Sequence, residues 1–295
     1  MNTFIIIGCA IALQLAACTS APPDPHVDDT PTAGDILILA DEDFRAIITS
    51  QQFSFESIYA NAHVRVRYLP QAELLQQMMN DSVRVVFSSC LPGGEQEAYF
   101  RTRRLKVDEV PVLTDGIAVL RSANAPAENI TLEQLRAALT VGSNMTVLFD
   151  GTRTGVARTL MDSLFGGDAS LMKNAVAVPG TDSLVAQLRR DPTAVGLVSF
   201  ARISDLDDPA CRALREGLVL APVGNGGAGV VPSQSTLADG SYPLRRTLYA
   251  LLTEGKSGLG TGFVSFVAGH KGQRIILKSG LAPIRVPARN VEIVH

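Results

Sequence analysis

The sequence predicts an α/β fold built on open sheets, and three observations carry that reading. Short apolar runs of strand length alternate with stretches of helical period from Gly34 onward. Capping residues and glycines fall between them, where helices should start and stop. The composition, 46% apolar and 19% charged, is that of a globular chain rather than a fibrous or disordered one. Repeated strand–helix units imply right-handed crossovers. At 295 residues the chain also reaches the length at which one core gives way to two domains.

The elements follow in order. Residues 1–17 carry no charge, and Phe4–Leu13 is an apolar run too short to span a bilayer but long enough for the core of an export signal. Leu15-Ala16-Ala17-Cys18 follows it and resembles a bacterial lipobox, in which Cys18 is lipidated and becomes the mature N-terminus. No Lys or Arg precedes the run, as an ordinary export signal would have. Residues 18–33 hold four prolines with several Asp and Thr and read as a tether. Asp35–Ala40 is a strand. Phe44, Ile47, Ile48, Phe55, Ile58 and Tyr59 then recur at helical spacing, with Asp41 or Asp43 as N-cap. Val64–Tyr68 alternates as a strand, Gln71–Asn80 is helical, and Val83–Ser88 is the next strand.

A helix is expected over 95–104, and strands over 105–113 and 116–121. Thr131 with Gln134 makes a capping box for a helix over 132–139. Thr146–Phe149 is a strand and Thr154–Phe165 a helix. Strands at 175–178 and 194–200 bracket a helix at 183–190. Strands at 218–223 and 244–252 precede a helix over 261–278 that Gly280 ends.

Composition excludes several functions. With 26 Lys+Arg against 29 Asp+Glu, a net charge of −3, the chain lacks the basic excess of a general nucleic-acid binder. There is no Trp, and the four His (His26, His63, His270, His295) have no metal-ligand spacing. Neither a metal nor a cofactor is expected. Gly224–Gly229 satisfies G-x-G-x-x-G, but Val230-Val231-Pro232 follows where a dinucleotide site needs a helix. Gly255-Lys256-Ser257 would need glycine where Ala250 stands to be a P-loop. Neither a G-x-S-x-G elbow nor H-E-x-x-H is present, so the chain is read as a non-enzyme. Cys90 and Cys211 remain after export, as a disulfide or as two buried thiols.

Three strand ends carry polar chemistry. After Phe149 comes Asp150-Gly151-Thr152-Arg153-Thr154-Gly155, a loop running into a helix. Its amides, the hydroxyl of Thr154 and the charge of Arg153 suit a small anion; simple capping by Thr154 is the alternative. Val85-Val86-Phe87 runs into Ser88 and Ser89, and Leu39-Ala40 into Asp41-Glu42-Asp43-Phe44. Ligands of open α/β sheets sit outside such carboxyl ends. A carboxylate there can accept the proton of hydrogen phosphate and would repel sulfate. Helix capping explains Asp41 and Asp43 equally well.

Several stretches resemble the phosphate-type periplasmic substrate-binding proteins of ABC transporters, in particular the lipoprotein branch of Bacteroidetes-like bacteria. They are Asn80–Arg84 before Ser88-Ser89, Thr114–Val119, Ala194–Ser199, Ala238–Arg246 with its Tyr-Pro-Leu-x-Arg pattern, Gly258–Val267 and Lys271–Ile276. The resemblance covers about 34–293. It implies a two-lobed, type II periplasmic-binding-protein-like α/β fold, each lobe an open mixed sheet flanked by helices. Lobe I would be 34–118 plus 224–295 and lobe II 119–223, joined by two crossover strands that let them close. The ligand would be phosphate or a similar oxyanion, held by backbone and hydroxyl donors rather than a strong ion pair. Contacts would come from Thr154, Gly155, Ser88, Ser89, Asp43, Phe44 and Arg153. Implied partners are an ABC permease and a membrane reached only through the lipid on Cys18. A monomer in the periplasm or cell envelope is expected.

Two departures stand against that pattern. Val156 replaces the second hydroxyl of the family's Ser-Gly-Thr, and Cys90 stands where members often carry a charge. They motivate an alternative, a sensor or interaction lipoprotein of the same fold that has lost transport.

Overall fold

The computed structural model describes residues 29–80, 83–126, 128–141 and 144–286. The expected export signal, Cys18 and the tether as far as residue 28 lie outside the described residues. Where the tether meets the fold it is docked: the Asp29 carboxylate accepts the Leu259 amide at 2.7 Å and pairs with Arg84 at 2.6 Å. Pro31 crosses Gly262 so closely that any β-carbon there would run into its carbonyl. The glycine spacing of Gly258–Gly262 thus makes room for the incoming chain.

The strands are β1 (Gly34–Asp41), β2 (Ala62–Leu69), β3 (Val85–Ser88), β4 (Asp108–Ser122), β6 (Thr146–Phe149), β7 (Ala175–Ala177), β8 (Ala194–Ser199) and β11 (Arg245–Leu252), with short strands β5 (Ile130–Thr131), β9 (Leu218–Leu220), β10 (Val223–Gly224) and β12 (Ala282–Pro283). The main sheet runs β2-β1-β3-β11-β4-β8-β6-β7. β1 is parallel to β2 and β3, and β6 is parallel to β7 and β8; β11 and β4 enter antiparallel. This mixed pattern in two halves is a periplasmic-binding-protein-like arrangement of type II.

β4 joins the halves. Its residues up to Gly116 pair with β11, and from Ile117 onward they pair with β8 and β9. Sequence patterning predicts two strands here because Asp115-Gly116 breaks the apolar run; the backbone carries straight through. Helices flank both halves: α1 (Arg45–Ile58), α2 (Gln71–Met78), α3 (Glu95–Thr102), α4 (Leu132–Thr140), α5 (Gly155–Phe165), α6 (Gly180–Arg190), α7 (Pro209–Arg215), α8 (Gln234–Ala238), α9 (Leu259–Ala268) and α10 (His270–Lys278). The capping box of Thr131 and Gln134 is formed.

The helix expected over 261–278 is divided: Gly269 takes extended backbone angles (φ −83°, ψ 176°) and ends α9 before α10 begins. The apolar period runs across both helices, so patterning alone joins them. The strand expected over 218–223 is likewise two short strands, β9 and β10. The core follows the pattern. Phe55, Phe87 and Phe263 stack edge-to-face at 5.3 and 5.8 Å, and their burial anchors α1 and α9 against β3. No helix of the described residues is long and apolar enough to cross a membrane.

Candidate anion-binding cleft

β1, β3, β6 and β8 all point their carboxyl ends at one place, the seam between the two halves of the sheet. Asp41 and Ser88 are last in β1 and β3, Asp150 follows β6, and Ser199 ends β8. Strand register adds two more side chains. Arg246, near the start of β11, lies directly across from Asp115 of β4, and Ile117, two residues on, lies across from Ser199.

Together these build a buried ionic cluster. The Arg246 guanidinium donates from Nε to Asp115 Oδ2 and from Nη2 to Asp43 Oδ2, both at 2.9 Å, with its side chain 3% exposed. Asp115 also accepts the Ser199 hydroxyl at 2.8 Å and the Ala201 amide at 2.9 Å. Arg202, from the turn after β8, donates Nε to Asp43 Oδ1 at 3.1 Å and lies 3.9 Å from Asp150. Asp150 accepts the Thr181 hydroxyl at 3.0 Å. Burial would raise the carboxyl of Asp43, but Arg246 and Arg202 outweigh it and hold the group below the usual range. Burial and the neighbouring charge of Asp43 push Asp41 up to about 7 and Asp150 to about 6. Burial opposes the charge on Arg246, yet the three surrounding carboxylates raise its pKa further.

One corner of the cluster is left open to chemistry. Arg246 Nη1 is buried with no hydrogen-bond partner. Around it stand Asp41, which receives the Ser89 hydroxyl at 3.2 Å, and the first residue of α5. A β-carbon on Gly155 would lie 2.5 Å from Arg246 Nη1 and 2.7 Å from both Asp41 Oδ2 and Ser89 Oγ. The helix start therefore touches the opposite half of the molecule directly, and only glycine allows it. Gln71 braces the second strand end: its amide donates to Ser88 Oγ at 2.8 Å, and its carbonyl accepts the Ser89 amide at 3.2 Å.

The expected site residues separate into two groups. Thr154, Gly155, Ser88 and Ser89 are brought together. Thr154 caps α5 through the Ala157 amide, and its hydroxyl donates to the Gly151 carbonyl, so the capping role and a place at the cleft coexist. Asp43 is central, but both its oxygens are engaged by arginines; Asp41 is the carboxylate facing Gly155. Phe44 is fully buried, its ring 5.1 Å from the Arg246 guanidinium carbon, so it backs that arginine rather than lining the cleft. Arg153 sits on the rim, exposed and paired with Glu73 at 2.8 Å.

Composition of the loops gives no sign of Arg246, Asp115 or Arg202. The signal was present in the alternation of β11: Arg246, Leu248, Ala250 and Leu252 share the buried face, so an arginine heads an apolar row. Cys90 and Cys211 are free thiols. Burial raises Cys90 to about 11 at the cleft wall, and Cys211 donates to the Arg202 carbonyl. Among the described residues no cluster could hold a metal ion.

This fold and seam define a two-lobed binding protein. The chain belongs to the PBP superfamily domain family, whose model matches residues 27–271. It is 20% identical to the phosphate-binding protein PstS of Pseudomonas aeruginosa PAO1, over 98% of this chain and 94% of that protein. A Clostridium perfringens protein, described as a phosphate ABC transporter substrate-binding protein and solved with bound phosphate, superposes with a TM-score of 0.70 at 17% identity, covering 85% of this chain and all of that one. An ABC-type phosphate transport receptor from Vibrio cholerae superposes with a TM-score of 0.64 at 15% identity, covering 84% and 99%. At these identities the structural likeness establishes the fold.

Proposed function

We propose that this chain is an extracytoplasmic solute-binding protein that captures a small oxyanion, phosphate first, between its lobes and delivers it to an ABC permease. The observation that carries the reading is Arg246 Nη1: a buried guanidinium N–H without a partner, beside the Ser89 hydroxyl and the positive end of α5. Asp41 adds selectivity. Ionised, above about pH 7, Asp41 accepts a hydrogen bond from the P–OH of hydrogen phosphate and repels a fully deprotonated sulfate. The PstS and phosphate-receptor relatives support phosphate as the first ligand to test.

The lobes of this reading are 34–118 with 224–295, and 119–223. The change of partner along β4 between Gly116 and Ile117 supports the division. Because Gly155 touches Arg246, Asp41 and Ser89, an anion enters only as the lobes part, and it must replace those contacts to close them again. Arg202–Asp43 holds the closed form, and the exposed Arg153–Glu73 pair at the rim adds little to it. Cys18 would carry the lipid that keeps the monomer at the membrane surface, and the ligand is released unchanged.

A second reading has its own observation. Four carboxylates (Asp41, Asp43, Asp115, Asp150) face two guanidiniums at the seam, an acidic surplus that favours a cleft shut by its own ion pairs. The chain would then be a sensor or interaction lipoprotein.

The deciding test is the melting temperature of residues 19–295 with phosphate, arsenate, sulfate or molybdate. A ligand at 100 times its Kd adds about 2.7 kcal/mol, a rise of a few degrees for this length. A rise with phosphate and arsenate but not sulfate is expected. No rise with any anion at millimolar concentration would overturn the capture reading in favour of the second.

A further inference from the structure

Beside the anion corner lies a cavity of about 560 Å³. Its polar end is formed by Gln71, which is hydrogen-bonded to Ser89, and by Thr154, the neighbour of Gly155. Thr152, Gln96, Arg153 and Arg158 add polar groups to the wall, and the other lining side chains are apolar. Leu75 and Leu91 come from one half of the molecule, Met161 and Met172 from the other, with several alanines between them. Leu91 is 40% exposed there, a large apolar side chain facing the opening.

Inorganic phosphate is far too small for this space. Scaled from a water's share of liquid volume, about 30 Å³ per heavy atom, a five-atom anion fills at most about 150 Å³. It also has nothing to offer methionine and leucine side chains. Cavities of several hundred Å³ with an apolar wall and a few convergent polar groups are the size and chemistry of organic-ligand sites. Arg246 Nη1 and Ser89 do not line this cavity but lie just beyond Gln71 and Thr154; they mark where the charge of such a ligand sits, and the cavity marks where its body goes. Both walls are needed, so a ligand that fills the space bridges the lobes and favours closure beyond what its charged head provides. The two methionines suit a ligand of adaptable shape, since their side chains repack readily.

We propose that the preferred ligand is a phosphoryl group carrying a short apolar organic substituent, as a phosphomonoester or a phosphonate, with its charged head at Arg246 and Ser89 and its substituent in the Leu75–Leu91–Met161–Met172 cavity. This inference rests on the oxyanion reading above.

The test is calorimetric titration of residues 19–295 with inorganic phosphate, then with methyl, ethyl and butyl phosphate and the matching alkylphosphonates. Affinity should rise about fourfold for each methylene buried. Met161→Gln and Met172→Gln, which line this cavity and not the cleft that holds Ser89 and Arg246, should flatten that rise and leave inorganic phosphate unchanged. A gain in both series assigns recognition to the apolar substituent; a gain in one alone also identifies the linking atom. Phosphate bound as tightly as its alkyl derivatives, or more so, overturns the inference and leaves the oxyanion reading standing. Failure of every member, phosphate included, overturns both.

Discussion

Two arginine–carboxylate pairs cross the seam among the described residues, beside hydrogen bonds such as Ser199 to Asp115 and the packing of Gly155. At the centre, Arg202 from the turn after β8 meets Asp43, with exposures of 25% and 1%, and Asp43 shares the buried Arg246 with Asp115. At the rim, Arg153 meets Glu73 with exposures of 60% and 32%. The charges and separations are alike, but the surroundings are not. Water screens the rim pair, and holding two long side chains together costs entropy, so the contact contributes little. Asp43, Asp115 and Arg246 have lost their hydration, so each depends on its partners. The seam is therefore fixed from its buried centre, and the rim pair adds little to the same closure.

The strongest way to break the comparison is Arg246→Ala. It leaves Asp43 and Asp115 buried with much of their compensation gone, and should cost about 3–5 kcal/mol in urea unfolding. Adding Asp115→Asn should return part of that loss. A cost near that of a surface substitution would mean the cluster is hydrated in solution. Gly155→Ala comes next. Its methyl meets three polar side chains within 2.7 Å, so the lobes must separate or the contacts must shift, at about 1–3 kcal/mol. A larger radius of gyration in solution scattering and a lost response to anions are expected; unchanged scattering with full anion response would remove Gly155 from the closure.

Acid titration sharpens the contrast further. Asp41 holds its proton up to about pH 7 in the folded chain but only to about 4 when unfolded, and Asp150 holds its proton up to about 6. In that window the folded state binds more protons, so stability falls as pH rises from about 4 to 7, by up to about 1.4 kcal/mol per pH unit for each group. Asp43, held low, acts oppositely and loses its contribution as pH drops below its own folded value. Asp41→Asn should therefore flatten the melting profile between pH 4 and 7; a profile parallel to that of the natural chain would show that another group titrates. The smallest effect belongs to the rim. Arg153→Ala should change stability by less than about 1 kcal/mol, and a loss comparable to that of Arg246→Ala would erase the distinction between the two contacts.

The sequence by itself determined the α/β alternation, the capping box at Thr131 and the polar strand ends at Ser88-Ser89 and Thr154-Gly155. Period and turn chemistry are local, so they can be read along the chain. The resemblance carried by Ala238–Arg246 and Gly258–Val267 added the two-lobed architecture. What only the tertiary structure decided was which charges meet. Arg246 and Asp115 are 131 residues apart and become neighbours through the register of β11 on β4; Asp43 and Arg202, 159 apart, meet because two strand ends converge. It likewise settled that Asp41, not Asp43, faces Gly155, since two aspartates two residues apart at a strand end are equivalent until the arginines choose between them. Pairing across a sheet is non-local, and no spacing along the chain encodes it, so the polar pieces of the cleft were visible and the buried ion cluster that joins them was not.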